Sequence, residues 1–259
     1  MVLDGTLEIP SVKDEVSEGE WQTRVNLAAA YRLCAHYGWD DLIYTHISAR
    51  VPGGDHHFLI NPLGLMFEEI TASSLIKVDL HGNKLMDTPF IANAAGFIIH
   101  SAIHATRDDA HCVLHLHTDY GIAVSNQKDG LLPLCQSSIP AWMSVAYHDY
   151  EGIAVNEGEK ERLVADMGDK QALILRNHGT LTAAPTVAQA FELMYFLEKA
   201  CKIQILSQSV GGALNAPPQE GIDNAMRDLR VVAGAQGADH LVWPALLRKL
   251  DRMDTSYRT

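Results

Sequence analysis

The segment Cys112-Val113-Leu114-His115-Leu116-His117-Thr118 is an apolar run broken twice, two residues apart, by histidine. Read as a strand, it alternates its side chains between faces, so His115 and His117 share a face with Val113 while Leu114 and Leu116 point to the other. The chain must fold so that one sheet face holds two imidazoles aimed at a common point. Two such groups suggest a metal if a third ligand exists. His178 is the natural third, because it stands in Asn177-His178-Gly179, where an apolar run gives out into glycine at the kind of sheet end where α/β proteins build sites. Three neutral imidazoles leave a tetrahedral ion one open position for water or a substrate oxygen. On spacing alone, the alternative is a core histidine with a satisfied hydrogen bond, the commoner situation for this residue type.

The flanking sequence builds layers around this strand. Through about Asp14 the chain reads as an irregular arm, and Ser17 with Glu20 forms a capping-box pattern ahead of an amphipathic helix from Trp21 to Tyr37 that Gly38 ends. LIYTHISARV and HHFLI around PGGD predict a hairpin, and LIKVDLHGN predicts a further strand closing in a turn. Helical periodicity begins at Asn93 in NAAGFIIHSAIHATR, where Phe97, His100 and His104 recur on one face, and packing rather than ligation is the expectation for these two histidines. His56-His57 reads as a solvated loop. DYGIAVSNQ predicts a short helix, LLPLCQSSIPAWMSVAYHDYEGI short extended pieces divided by prolines, NEGEKERLVADMG a polar helix, QALILRNHG a strand, and the run from Thr186 the longest helix. The expected division is an arm over 1–20, one domain over 21–212, and a linker with a helical tail over 213–259 packed on that domain. Strands interleaved with helices without strict alternation indicate a layered α/β sandwich around a mixed sheet.

With 259 residues and 47% hydrophobic content, the chain can bury a sizeable core. Its formal net charge of −12 argues against nucleic acid or an acidic membrane surface as a partner. No stretch approaches the length of a membrane span, and MVLDGTLEIPSVKDE carries acid where a signal peptide carries base. Cys34, Cys112, Cys135 and Cys201 lie far apart with no C-x-x-C pair, the pattern of reduced thiols, which favours the cytoplasm.

HSAIHATRDDAHCVLHLHTDYGIAVS followed by LILRNHG resembles the class II aldolase/adducin superfamily, and NAAGFIIHSAIHATR, GLLPLCQSSI and VAYHDYEGI most resemble its adducin-type branch. The similarity runs from about Trp21 to Gly211. It implies a three-layer α/β/α sandwich around a mixed, largely antiparallel sheet, with His115, His117 and His178 as ligands of a divalent metal. Zinc is the metal usual in that family, with Fe2+, Mn2+ and Co2+ as alternatives, and a homotetramer with active sites at subunit boundaries is its common assembly. The resemblance also exposes a departure. Sugar-phosphate aldolases of the family place a catalytic glutamate four residues before the histidine that matches His100, where this chain has Gly96, and Thr45-His46 and Leu63-Gly64 replace two phosphate-binding loops. The expected function is therefore a metal-dependent lyase or decarboxylase acting on a small, unphosphorylated hydroxy- or oxo-compound. His46, His148, Tyr147, Tyr150 or a metal-bound water are the candidates for handling the proton. An adducin-like, non-catalytic interaction protein and an Fe(II)-dependent oxygenase are the alternatives.

Overall fold

A computed structural model describes residues 9–53, 56–92, 94–152, 158–235 and 237–259. Helix α1 (Glu18–Tyr37) starts at Ser17, whose hydroxyl accepts from the Glu20 amide at 3.2 Å, and stops at Gly38, where φ is 67°. The Glu20 carboxylate turns inward, to Arg24 at 3.0 Å and Lys77 at 2.7 Å. Strands β1 (His46–Arg50) and β2 (Phe58–Ile60) pair antiparallel as expected of a hairpin, and β3 (Ile76–Val78) adds beside β2. The hairpin tip, Gly54-Asp55, lies outside the described residues, as does Asn93, the expected start of α2 (Ala94–Thr106). Then come β4 (Cys112–Leu116), α3 (Asp119–Ser125), α4 (Ile139–Ser144), β5 (Val145–His148), α5 (Glu159–Met167), β6 (Ala172–Leu175), β7 (Gly179–Ala184), α6 (Val187–Ser209), α7 (Gln219–Ala235) and α8 (Val242–Asp251).

The strands form one seven-stranded sheet in the order β3-β2-β1-β4-β7-β6-β5, antiparallel throughout except between β5 and β6. Alternation along each strand makes two cores. Val113, Leu173, Leu175, Leu181 and Ala183 pack against Ile99 and Ile103 of α2 and Leu163 and Met167 of α5. Leu114, Leu116, Ala172 and Ile174 point the other way, toward Leu27 of α1 and Phe191, Met194 and Leu197 of α6. Helices on both faces of a mixed sheet make the three layers α/β/α.

Two elements differ from the expectation. The proline-divided stretch after Leu134 contains helix α4, because Pro140 falls in its first turn, where a missing N–H breaks no helical bond. Strand β7 was not expected at all. GTLTAA has one large apolar residue and so a weak alternation, yet both of its faces are covered: Leu181 and Ala183 pack toward α2 and α5, and the Thr182 hydroxyl donates to the Ala190 carbonyl of α6 at 3.0 Å. Asn177-His178-Gly179 is thus the tight reversal between two paired strands rather than an exit from the sheet. At the far end of the chain, the Trp243 indole of α8 donates to Asn26 of α1 at 3.2 Å. The residues beyond α8 also fold back, with the amides of Ala72 and Ser73 donating to the carbonyls of Tyr257 and Thr259 at 3.0 and 2.9 Å.

Candidate metal centre

Strand β4 carries His115 and delivers His117 one residue past its end, while the β6–β7 reversal brings His178 against them. His117 Nε2 lies 3.0 Å from His115 Nε2 and 2.9 Å from His178 Nε2, and one nitrogen from each ring falls within 4.8 Å of the others. The turn residues explain this approach. Asn177 has φ 57°, a left-handed conformation that asparagine tolerates better than most residues, and its amide donates to Asn126 at 2.8 Å. A Cβ on Gly179 would stand 2.4 Å from the Leu116 carbonyl oxygen and 3.1 Å from His117 Cδ2, so only glycine lets the reversal close on β4.

The outer nitrogens settle what the inner ones can do. His115 Nδ1 donates to the Thr180 carbonyl at 3.1 Å, and His117 Nδ1 donates to Asp41 Oδ2 at 3.0 Å. With its proton on Nδ1, the neutral His115 ring turns a bare Nε2 lone pair toward His117 Nε2 at 3.0 Å, and with the His117 Nδ1 proton held by Asp41 a cation placed between the two nitrogens would satisfy both lone pairs. The donor set therefore fits a divalent ion such as Zn2+, whose nitrogen ligands sit at about 2.0–2.1 Å. Burial holds the His115 imidazolium well below its ordinary range, and burial, with help from His117 and His148, lowers His178 to about 4. These two rings are uncharged at neutral pH, as ligation requires.

Asp41, which orients His117, was not found by sequence reasoning. The only hint was an acidic pair, Asp40-Asp41, shortly before the strand that begins at His46.

The candidate proton-handling residues are spread unevenly. His46 stands opposite His115 in the β1–β4 ladder, with ring centres 5.0 Å apart. Its Nδ1 is 2.8 Å from His100 Nε2; Ser48 Oγ lies 2.5 Å from His100 Nδ1 and 2.7 Å from His104 Nε2; and His104 Nδ1 is 3.0 Å from the Ala110 carbonyl. His100 and His104, expected to be packing residues, are buried members of this polar row. His148 is also buried, with Nδ1 2.7 Å from Asp166 and Nε2 3.6 Å from Glu159; it pairs with Leu175 at the end of β6, and its carbonyl accepts from the Arg176 amide at the start of the reversal at 2.8 Å. Tyr147 lies on the opposite face of the sheet from His115. It packs in the core on the α6 side of the sheet, and its hydroxyl accepts from the Leu131 amide at 3.0 Å, while Arg176 lies over its ring at 4.3 Å. Strand alternation puts neighbours on opposite faces, which is why two adjacent candidates, Tyr147 and His148, cannot serve one site together. Tyr150 is exposed.

Residues 25–205 match the family described as Class II Aldolase and Adducin N-terminal domain. The chain belongs to this family. An aldolase II superfamily protein from Pseudomonas syringae is 54% identical, with a TM-score of 0.89 over 96% of this chain and 100% of that one. Alpha-adducin of Rattus norvegicus is 47% identical over 203 residues, which are 76% of this chain and 27% of adducin. L-fuculose 1-phosphate aldolase from Glaciozyma antarctica PI12 is 29% identical, with a TM-score of 0.74 over 90% of this chain and 95% of its own. Within this class II aldolase/adducin fold, the position expected to carry a catalytic glutamate is closed. A Cβ on Gly96 would meet His46 Cδ2 at 2.6 Å and Cγ at 2.7 Å, so the His46 ring fills the space a side chain there would need.

Proposed function

We propose that this protein is a divalent-metal-dependent carbon–carbon lyase or decarboxylase acting on a small, unphosphorylated hydroxy- or oxo-compound at a centre held by His115, His117 and His178. The observation that carries the proposal is the convergence of three ring nitrogens within 4.8 Å, two of them oriented from behind by Thr180 and Asp41. When bound, the ion supplies a Lewis acid for a carbonyl or enolate oxygen as a carbon–carbon bond breaks. Zinc is the metal we assign. Proton handling falls to His46, beside His115, and to His148 on β5. Leu63 and His46 stand where phosphate-binding side chains are expected of sugar-phosphate aldolases, and this is the reason for an unphosphorylated substrate. We assign the protein to the cytoplasm, in keeping with its free cysteines and with the finding that, among the described residues, no helix is long and apolar enough to cross a membrane.

The filled position at Gly96, together with the identity to alpha-adducin, favours one second reading, a non-catalytic interaction module that keeps the metal centre for structure. Elemental analysis of the purified full chain tests the centre first. About one divalent ion per chain is expected, and His178→Ala should remove most of it. Full metal content in that variant overturns the three-histidine assignment. Screening the metal-loaded protein against hydroxy and oxo acids separates lyase from module, and oxygen uptake with bound iron would move the assignment to an oxygenase. Cleavage of L-fuculose 1-phosphate at about 1 s⁻¹ or faster would overturn the unphosphorylated substrate class.

A further inference from the structure

The row of buried polar groups running from Ala110 to His46 has a direction, fixed at its far end by a carbonyl. The Ala110 carbonyl can only accept, so His104 Nδ1, 3.0 Å away, carries a hydrogen. All three imidazoles of the row are at most 3% exposed, which disfavours a charged ring. Neutral His104 therefore has a bare Nε2, and Ser48 donates to it across 2.7 Å. The serine's one hydrogen is now used. Toward His100 Nδ1 at 2.5 Å, Ser48 Oγ must accept, which puts the His100 hydrogen on Nδ1 and leaves its Nε2 bare. That Nε2 accepts from His46 Nδ1 at 2.8 Å. His46 is left with a hydrogen on Nδ1 and a lone pair on Nε2. Among the described residues, the hydrogen bond that the His46 ring makes is the one through Nδ1.

We propose that His46 Nε2 is a fixed hydrogen-bond acceptor that selects and orients a hydroxyl group of the ligand beside the three-histidine centre, with Ser48, His100 and His104 as the positioning residues that hold it in this form. The location rests on the reading of that centre as a metal site. The His46 ring is wedged between the backbone at Gly96 and the His115 ring, 5.0 Å away, so it cannot swing to present another atom. A bare imidazole nitrogen welcomes an O–H and repels the oxygen of a carboxylate or phosphate. The ligand class is thus a metal-chelating compound with a free hydroxyl, such as a hydroxy acid bound through its carboxylate.

Two measurements test this. In the ¹⁵N-histidine-labelled full chain, long-range ¹H–¹⁵N spectra should show His46, His100 and His104 all protonated on Nδ1, and an Nε2-protonated form at any of the three overturns the proposal. In the zinc-loaded protein, glycolate should bind about five- to tenfold more tightly than methoxyacetate, which keeps the carboxylate and ether oxygen but lacks the hydrogen to donate. Ser48→Ala should bring that ratio to about one, and Ser48→Thr should restore it. A native ratio near one, or a ratio that Ser48→Ala leaves unchanged, overturns the proposal. Failure to take up zinc would instead count against the metal reading, and the spectra of the unaltered protein would still decide the proton order.

Discussion

Position 96 shows how one missing side chain reshapes a site. The absence of a carboxylate there was legible in the sequence, because Gly96 falls four residues before His100 in a recognisable helix. What replaces it was not, since the contact with His46 joins residues on α2 and β1 and exists only once the helix has docked on the sheet. Restoring the carboxylate alone should therefore fail. Gly96→Ala should already destabilise the protein by about 1–3 kcal/mol, as overpacking does in a close-packed interior. His46→Ala should relieve most of that penalty in the double variant, and urea denaturation of the four proteins measures the coupling; independent, additive effects would deny the contact. The three histidines proposed as metal ligands were legible for a different reason: His115 lies on β4, His117 follows one residue past its end, and His178 falls in a three-residue motif. Their support was hidden, because Asp41 lies 76 residues from His117 in sequence. Asp41→Ala should weaken zinc binding about 10- to 100-fold, the usual effect of removing such an orienting carboxylate, and competition with a chelator reads it directly.

At the scale of elements, helices with caps and strands with alternating apolar residues were readable, whereas β7 was not, because its alternation is between threonine or small residues and leucine or alanine. The pairing of α2 with β1 has a consequence for acid stability. Burial, with Arg50 adding to it, lowers the His104 imidazolium to about 3, and His100 and His46 are held well below the ordinary range by burial and neighbouring histidines. A histidine that must be neutral in the fold binds fewer protons there than in the unfolded chain. Its contribution is fully present above the unfolded value of about 6.5 and is lost as pH falls from there toward 3, by about 1.4 kcal/mol per pH unit for His104 alone. The urea midpoint should hold steady from pH 8 to 7 and fall steeply below about 6.5. His104→Gln should make that fall shallower while lowering stability at pH 7. A midpoint that ignores pH down to 5 would contradict the buried neutral row.

For the molecule as a whole, the assembly expected of the family is a homotetramer, and α6 with its continuation leaves apolar groups such as Leu206 and Val210 on the surface. Sedimentation at micromolar concentration should give about four times the 28.4 kDa chain mass. A monomer would contradict this and with it any site built at a subunit boundary. The sequence suggested the tail's helices but not where the segment after α8 goes. Arg32 of α1 reaches Asp254 at 3.2 Å, 222 residues later, and the backbones of residues 72 and 73 pair with those of 257 and 259. During biosynthesis at about 5–20 residues per second, α1 waits some ten to forty seconds on the ribosome for these partners to be made. The strands carrying the imidazoles are all translated well before that. Every histidine of the proposed centre is thus made before the residues that cover α1, so a ribosome stalled short of residue 254 would carry all three imidazoles while the outer layer over α1 still lacked its last contacts.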